Sequence, residues 1–234
     1  MTPSTNITPF QPTFFLEKHF KDGFEKIAEE KQKRIMDAGI IEFAAKGFIA
    51  ANINIIAKNA GISIGSMYNY FDSKESLFLT IADYGYGVLE SVISSVDLEH
   101  GDIFDKIELL LRMAQKYSRQ HPELNQIYLD LTSEGLSHLS QKLSKQMESI
   151  TAEFSRALMA EAKKDGVIAS DIDEYVTSFC IDNLMVMLQF SYTSDYYKER
   201  MKIFAGEDAL KNDEKIIQGM MRFIRGGLGP VPSK

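Results

Sequence analysis

The 234-residue sequence predicts an all-α protein. Apolar residues recur at the spacing of amphipathic helices along most of the chain. Residues that favour helix ends, such as Ser, Asn, Asp and Gly, stand where these periodic stretches begin and stop. Strand signals are weak, because the best candidate is the short run VIASDI at 167–172 and no alternating stretch adjoins a hairpin turn.

The first predicted helix covers about residues 30–46, where Met36, Ile40 and Phe43 form one apolar stripe. Gly47 follows the stripe, in the position of a C-terminal cap, and is expected to end the helix. The 29 residues before this helix form an N-terminal extension. Two alternatives stand for it: an extension docked on the following helices, or a basic arm that reaches DNA.

Two short helices are predicted next. Asn52 is placed to cap INIIAKNA, which Gly61 terminates, and Ser63 is placed to cap IGSMYNYF. Two short helices on either side of a glycine-containing turn have the proportions of a helix-turn-helix, whose second helix enters the major groove of DNA.

The rest of the chain predicts longer helices. One begins at Asp72 or Ser73, and the others cover about 103–120, 123–135, 138–164, 172–204 and 208–226. The polar segment 97–102 separates the first two of these helices. Gly166 is expected to end the helix at 138–164, and Asp171 to cap the helix that follows it. The last helix is expected to stop at the cluster Gly226, Gly227, Gly229 and Pro230.

Composition predicts a globular chain, with 44% hydrophobic and 25% charged residues. The single Cys180 cannot form an internal disulfide or a zinc site, which fits a reducing compartment. The sequence has no apolar run of export-signal or membrane-spanning type, so we expect a cytoplasmic protein without membrane partners. The net charge is −7, yet residues 31–74 hold six basic and three acidic side chains. A basic segment in an acidic chain indicates a local site for an anionic partner.

Residues 31–80 resemble the DNA-binding domain of the TetR family of transcriptional regulators. The matching positions are Ile35, Ala38, Phe43, Gly47, Ile56, Ala57, Gly61, Gly65, Tyr68, Phe71, Lys74 and Leu77. The resemblance implies an N-terminal extension at 1–29, a helix-turn-helix domain at 30–80, and a larger helical ligand-binding and dimerisation domain at 81–234.

The same resemblance implies which side chains contact DNA. Ile64, Gly65 and Asn69 match positions that face base edges, and Asn can pair bidentately with adenine. Ser66, Tyr68, Tyr70 and Lys74 match positions that contact phosphates, which accept hydrogen bonds from hydroxyl and ammonium groups. Ser63 adds a hydroxyl at a helix N-terminus that favours anions. Ile53 replaces a hydroxyl residue that often contacts phosphate, which leaves Asn52 as the polar contributor there.

For the larger domain, the resemblance implies a homodimer on a palindromic DNA operator and a small-molecule effector that is largely apolar. The run YVTSFCIDNLMVMLQFSY is apolar on more than one face, which leaves a surface for a partner helix. The candidate lining residues, for each of which core or interface is the alternative, are Tyr117, Tyr128, Phe154, Phe179 and Met187. The charged anchors that remain open are Arg112, Arg119, Asp130, Arg156 and Asp182.

The sequence therefore predicts a ligand-responsive transcriptional regulator, most simply a repressor. An enzyme is not indicated, because the four histidines are scattered and no motif for catalysis, a metal or a cofactor occurs. The alternative is a helical scaffold or apolar-ligand-binding protein without DNA activity, which leaves the basic segment unexplained.

Overall fold

The computed structural model describes residues 18–94, 100–132 and 137–229, with the side chains of 89–94, 137–147 and 150 left out. Every regular element in these ranges is helical, so the all-α prediction is confirmed. The helices are α1 (Asp22–Glu25), α2 (Glu29–Ala50), α3 (Ile53–Asn59), α4 (Ile64–Tyr70), α5 (Lys74–Ser94), α6 (Ile103–Gln120), α7 (Pro122–Leu131), α8 (Ser137–Lys164), α9 (Glu174–Ser191), α10 (Asp195–Ala205) and α11 (Asp213–Leu228). A 3₁₀ turn, Ala209–Lys211, precedes α11. No helix of the described residues is long and apolar enough to span a membrane.

The chain divides into two compact units, with the boundary after Ser91 inside α5. The N-terminal unit holds α1 to α4 and most of α5, and its core consists of fully buried aromatic and aliphatic side chains. These include Phe24, Ile35, Phe43, Ile56, Met67, Phe71, Leu77, Phe78 and Ile81, all at 0% exposure. The apolar stripe of α2 therefore faces inward, as its periodicity predicts.

The helix ends of the N-terminal unit follow from local chemistry. Gly47 has φ +69°, which breaks the helical conformation of α2 one turn before its end and confirms the predicted role of this glycine. Gly61, also at φ +69°, ends the segment of α3. Ser73 Oγ accepts a hydrogen bond from the Ser76 amide at 3.1 Å, so Ser73 caps α5.

The C-terminal unit is a helical assembly around a second core. α9 packs against α6, α7, α8 and α10, and α11 packs against α6. The core includes Ile107 and Leu111 of α6, Met159 of α8, and Ile217 of α11. Asp102 begins α6 with a capping box, in which its carboxylate and that of Asp105 bond reciprocally to backbone amides.

Three predictions in this unit were wrong. The single helix predicted at 172–204 is two helices, because Tyr192, Thr193 and Ser194 leave the helical path between α9 and α10. The Thr193 hydroxyl donates to the Gln189 carbonyl at 3.1 Å, a back-bond of the kind that bends helices.

The other two errors concern helix ends. Asp173, not Asp171, caps α9 by accepting from the amides of Tyr175 and Val176. The last helix begins at Asp213 and not at about 208, but it stops at the predicted glycine cluster, because α11 continues to Leu228 and Gly229 is its cap. Gly166 at φ +71° does end the segment after α8, as predicted.

Candidate nucleic-acid interface

The helix α4 is held by contacts on one side and at both ends. The Met67 side chain of α4 is fully buried on its inner side, and Phe71, which is also fully buried, caps the C-terminal end of the helix. At its start, Ser63 Oγ accepts from the Ser66 amide at 3.1 Å, which confirms the predicted cap. The opposite side of α4 is left for solvent or a partner.

That opposite side carries most of the predicted DNA contacts. Ile64 is 37% exposed and Tyr68 46% exposed, and Gly65 and Asn69 are exposed as well. A methyl group at Gly65 would meet only Ser63 Oγ at 3.9 Å, so packing within the protein does not require glycine there. Glycine at this position keeps the surface of α4 low, which allows another backbone to approach closely.

The two serines of α4 are joined to each other. Ser63 Oγ and Ser66 Oγ lie 2.9 Å apart in a hydrogen bond, with Ser63 exposed and Ser66 half-buried. Their remaining hydrogen-bonding capacity lies beside the free amides of the first turn of α4. The structure therefore places Ser63, Ile64, Gly65, Ser66, Tyr68 and Asn69 on one short helix with accessible groups.

Asn52 has a structural role that the sequence also predicted. The side-chain Oδ1 of Asn52 accepts from the backbone amide of Asn54 at 2.9 Å, and the backbone amide of Asn52 donates to Glu42 Oε1 at 3.1 Å. Glu42 is buried, so this bond fixes the connection between α2 and α3. The Asn52 side chain is exposed, which leaves its side-chain NH2 group available to a partner.

Tyr70 lies apart from the exposed group. It is only 9% exposed, and its ring packs 6.1 Å from the ring of Phe24. Its hydroxyl accepts a hydrogen bond from Lys31 Nζ at 2.9 Å. The sequence did not indicate this pairing, because Lys31 is 39 residues earlier in the chain.

Lys74 is also engaged within the protein. Its Nζ donates to the carbonyls of Ile49 and Ala51 at 2.9 and 3.1 Å, and lies 4.8 Å from the centre of the Phe48 ring. These acceptors explain a cation in the first turn of α5, where the helix dipole disfavours it. Lys74 thus ties α5 to the connection between α2 and α3.

Residues 18–28 brace the C-terminal end of α4, in agreement with the docked alternative for the extension. The Lys21 amide donates to the Tyr70 carbonyl at 2.8 Å, and Lys21 Nζ donates to the Tyr68 carbonyl at 2.9 Å. Nζ also pairs with Asp72 at 2.7 Å. Phe24 packs against Phe71 with ring centres 4.9 Å apart.

Charges of the N-terminal unit separate into paired and unpaired groups. Lys18 pairs with Asp22 and Glu25 at 2.7 and 2.8 Å, which raises its pKa and balances its charge within the extension. Lys46 and Lys58, by contrast, are exposed and form no ion pair within the described residues. The net positive charge of 31–74 is therefore partly free to meet an anion.

The five candidate lining residues of the larger unit are not in equivalent places. Tyr117 is buried, and Tyr128 is half-buried, with its hydroxyl donating to Glu148 Oε1 at 3.1 Å. Phe154 of α8 and Phe179 and Met187 of α9 are exposed, at 38%, 68% and 38%. Two of the five thus lie inside the unit and three on its surface.

The charged side chains that the sequence left open as ligand anchors also differ in their surroundings. Arg112 pairs with Glu108 and Glu214 at 2.7 and 2.8 Å. Arg119 pairs with Asp213, and the Arg156 guanidinium lies 5.0 Å from the Tyr175 ring centre. Each of these three arginines therefore has a partner within the protein.

Asp182 is different, because burial raises the pKa of its carboxyl. Burial, and then the nearby charge of Asp182, also raise the pKa of Glu148, while the hydrogen bond from Tyr128 acts in the opposite direction. Sequence reasoning missed Glu148, since its importance arises only where α8 meets α9.

Comparisons with known proteins agree with this architecture. Residues 35–81 match the family model for bacterial regulatory proteins of the TetR family. The HTH-type transcriptional regulator YdgC of Bacillus subtilis is 25% identical over 167 residues, which are 70% of this chain and 81% of YdgC. A TetR family transcriptional regulator from Chloroflexus aurantiacus has a similar structure, with a TM-score of 0.71 at 19% identity, over 90% of this chain and 98% of that one.

The regulator FadR from Bacillus subtilis, solved in complex with stearoyl-CoA, has a TM-score of 0.63 at 18% identity, over 81% of this chain and 97% of that one. At these identities the structural likeness establishes a shared fold. The matched range 35–81 contains α3, α4 and the turn between them. Residues 35–81 thus carry a helix-turn-helix of the TetR family of bacterial regulatory proteins, and with the larger helical region that follows, the chain has the fold of TetR family transcriptional regulators.

Proposed function

We propose that this regulator binds a palindromic DNA operator as a homodimer, acts as a repressor, and changes its operator affinity when a small-molecule effector binds the C-terminal unit. The observation that carries the proposal is the outer face of α4. It leaves Ile64, Gly65, Tyr68 and Asn69 accessible on a helix whose other side is locked into a core.

The chemistry of this face suits a base-reading helix. The Asn69 amide can donate to and accept from one adenine edge, Ile64 can contact a thymine methyl, and Gly65 lets the helix approach the groove. The hydroxyls of Ser63, Ser66 and Tyr68 can donate to phosphates. Lys46 and Lys58 supply charge that makes the binding salt-dependent.

Exposed apolar side chains on α9 and α11 support the homodimer. Tyr175, Val176 and Phe179 of α9 are 70%, 59% and 68% exposed, and Phe223 of α11 is 73% exposed. Exposed apolar groups on adjacent turns favour a partner surface. A two-fold dimer would place two copies of α4 about 34 Å apart, one turn of DNA, on the two halves of a palindrome.

The effector part of the proposal rests on the family and on one solved relative. FadR from Bacillus subtilis was solved with stearoyl-CoA, which has a long apolar chain. By analogy we propose a largely apolar effector for this chain, bound within the C-terminal unit. Coupling between effector and operator binding is typically about 1–3 kcal/mol.

The test is a selection of random and genomic duplexes on the purified full chain, followed by binding titrations over a salt series. We expect a palindromic site that binds at least about 10³-fold better than competitor DNA. A protein that binds only weakly and without sequence preference, also after refolding to remove any carried ligand, would instead be a helical scaffold or ligand-binding protein without operator activity.

A further inference from the structure

Two carboxylates inside the C-terminal unit have no ion pair within the described residues, and a buried hydroxyl on one of the same helices has no hydrogen-bond partner. Glu148 of α8 and Asp182 of α9 are both partly buried, and Asp182 is close enough to Glu148 for its charge to raise the pKa of the Glu148 carboxyl. Tyr128 of α7 donates to Glu148 at 3.1 Å, so three helices meet at this group. We name Tyr128, Glu148, Ser178 and Asp182 the acidic group.

No cation of the described residues balances the acidic group. Neither carboxylate has an ion pair there, and three arginines of the same unit, Arg112, Arg119 and Arg156, are engaged by Glu108, Glu214, Asp213 or the Tyr175 ring. Like charges in a poorly solvated place destabilise the folded chain unless something neutralises them. A fold that retains such a cost commonly does so for binding or catalysis.

A second, independent observation comes from the neutral side chains. Ser178 is 5% exposed, and its Oγ has no hydrogen-bond partner. It lies one turn before Asp182 on the same face of α9, and helical side chains lean toward the N-terminus, so the Asp182 carboxyl extends over the turn that holds Ser178. A buried hydroxyl without a partner is an exception that indicates a missing group.

The rings of Tyr128 and Phe190 lie 5.9 Å apart, and the Tyr128 hydroxyl bonds to Glu148. Aromatic faces attract cations, and aromatic edges accommodate an apolar body.

We propose that the acidic group is the polar end of the effector site and binds a protonated amine carried by an otherwise apolar molecule. An ammonium donates three hydrogen bonds, and the two carboxylates and the Ser178 hydroxyl can accept them. A divalent metal ion fits less well, because it needs more oxygen ligands, and no group of three His, Cys, Asp or Glu side chains able to hold one occurs in the described part of the chain. This inference rests on the proposed effector-responsive function and defines its effector class.

The test uses three probes of one shape and different charge: phenylbutylamine, phenylbutanol and phenylbutyrate. Each is titrated calorimetrically into the full chain without DNA at neutral pH. We expect the amine to bind at least about tenfold more tightly than the alcohol, and the carboxylate to bind most weakly. Glu148→Gln and Asp182→Asn should each abolish the preference for the amine, whereas the matched control Glu153→Gln, at an exposed position of α8, should keep it.

A ligand-free measurement keeps the proposal falsifiable if a variant alters the fold. Because each substitution removes an unbalanced negative charge, both variants should melt at a higher temperature than the parent chain at neutral pH. The proposal is overturned if the alcohol or the carboxylate binds as well as the amine, if the amine does not bind, or if both variants melt lower. Since no DNA is present, these outcomes are independent of whether an operator is found.

Discussion

In the N-terminal unit, the polar side chains proposed to read DNA lie on the surface and bond to near neighbours, as Ser63 does with Ser66. In the C-terminal unit, the side chains proposed to bind the effector are partly or fully buried, and one of them, Ser178, has no hydrogen-bond partner. An exposed polar group costs little when its ligand is absent, because water replaces the ligand. A buried one costs stability, so its presence is the stronger sign of a missing partner.

The largest expected effect concerns the stability of the N-terminal unit, on which its exposed DNA-reading face depends. Phe24 is fully buried against Phe71, so Phe24→Ala should reduce the free energy of unfolding of that unit by about 3–5 kcal/mol and abolish operator binding. Chemical denaturation and duplex titration measure the two effects. The control Phe204→Ala, at a side chain 76% exposed, should change stability by less than about 0.5 kcal/mol. Retained stability in Phe24→Ala would mean that the extension is not part of the unit.

The next effect concerns the exposed face of α9. Phe179→Asp places a charge on the proposed dimer surface, and we expect the dimer dissociation constant to rise by at least about tenfold. Phe204→Asp on α10 is the matched control, because its exposure is similar. Sedimentation at several concentrations measures both. A dimer unchanged by Phe179→Asp would place the interface elsewhere.

Asn69→Ala tests whether the accessible face of α4 reads bases. We expect discrimination at one base pair of each half-site to fall by about 1–3 kcal/mol, with other positions unchanged. Titration of a panel of operator variants measures the effect, and the unaffected positions are its internal control. Equal weakening at every position would assign Asn69 to a phosphate contact.

The variant Lys74→Ala tests whether Lys74 has only a structural role or also contacts a phosphate of DNA. Loss of the bonds to Ile49 and Ala51 should destabilise the N-terminal unit by about 1 kcal/mol. If the remaining N–H and the charge also meet a phosphate, the slope of log affinity against log salt should fall by about 0.9 for each phosphate that the variant no longer neutralises. Lower stability with an unchanged slope would leave Lys74 with the structural role alone.

The smallest effect is a pH dependence inside the C-terminal unit. Folding raises the pKa of Asp182 and Glu148 above their ordinary values of 3.8 and 4.5, so the folded state holds these protons more strongly. Stability should therefore fall as pH rises from these ordinary values through the raised ones. The melting-temperature gain of the double variant Glu148→Gln with Asp182→Asn should be full at neutral pH and vanish in acid. A gain that does not change with pH would mean that the carboxyls do not titrate in this range.

The contribution of local chemistry was predictable from the sequence. The caps at Asn52 and Ser63 and the breaks at Gly47 and Gly61 depend on residues a few positions apart, and each occurs as predicted. The break between α9 and α10 was missed, because the apolar periodicity continues across Tyr192 while the bond from Thr193 to Gln189 interrupts the helix.

By itself, the sequence determined the all-α class, the helix-turn-helix and the accessible residues of α4, since helix ends and helix faces are set by neighbours within about one or two turns. Only the tertiary structure decided that Tyr70 and Lys74 are held within the protein, and that Glu148 approaches Asp182. These relations join residues far apart in the chain. Burial and charge balance depend on which helices meet, and periodicity along one helix carries no such information.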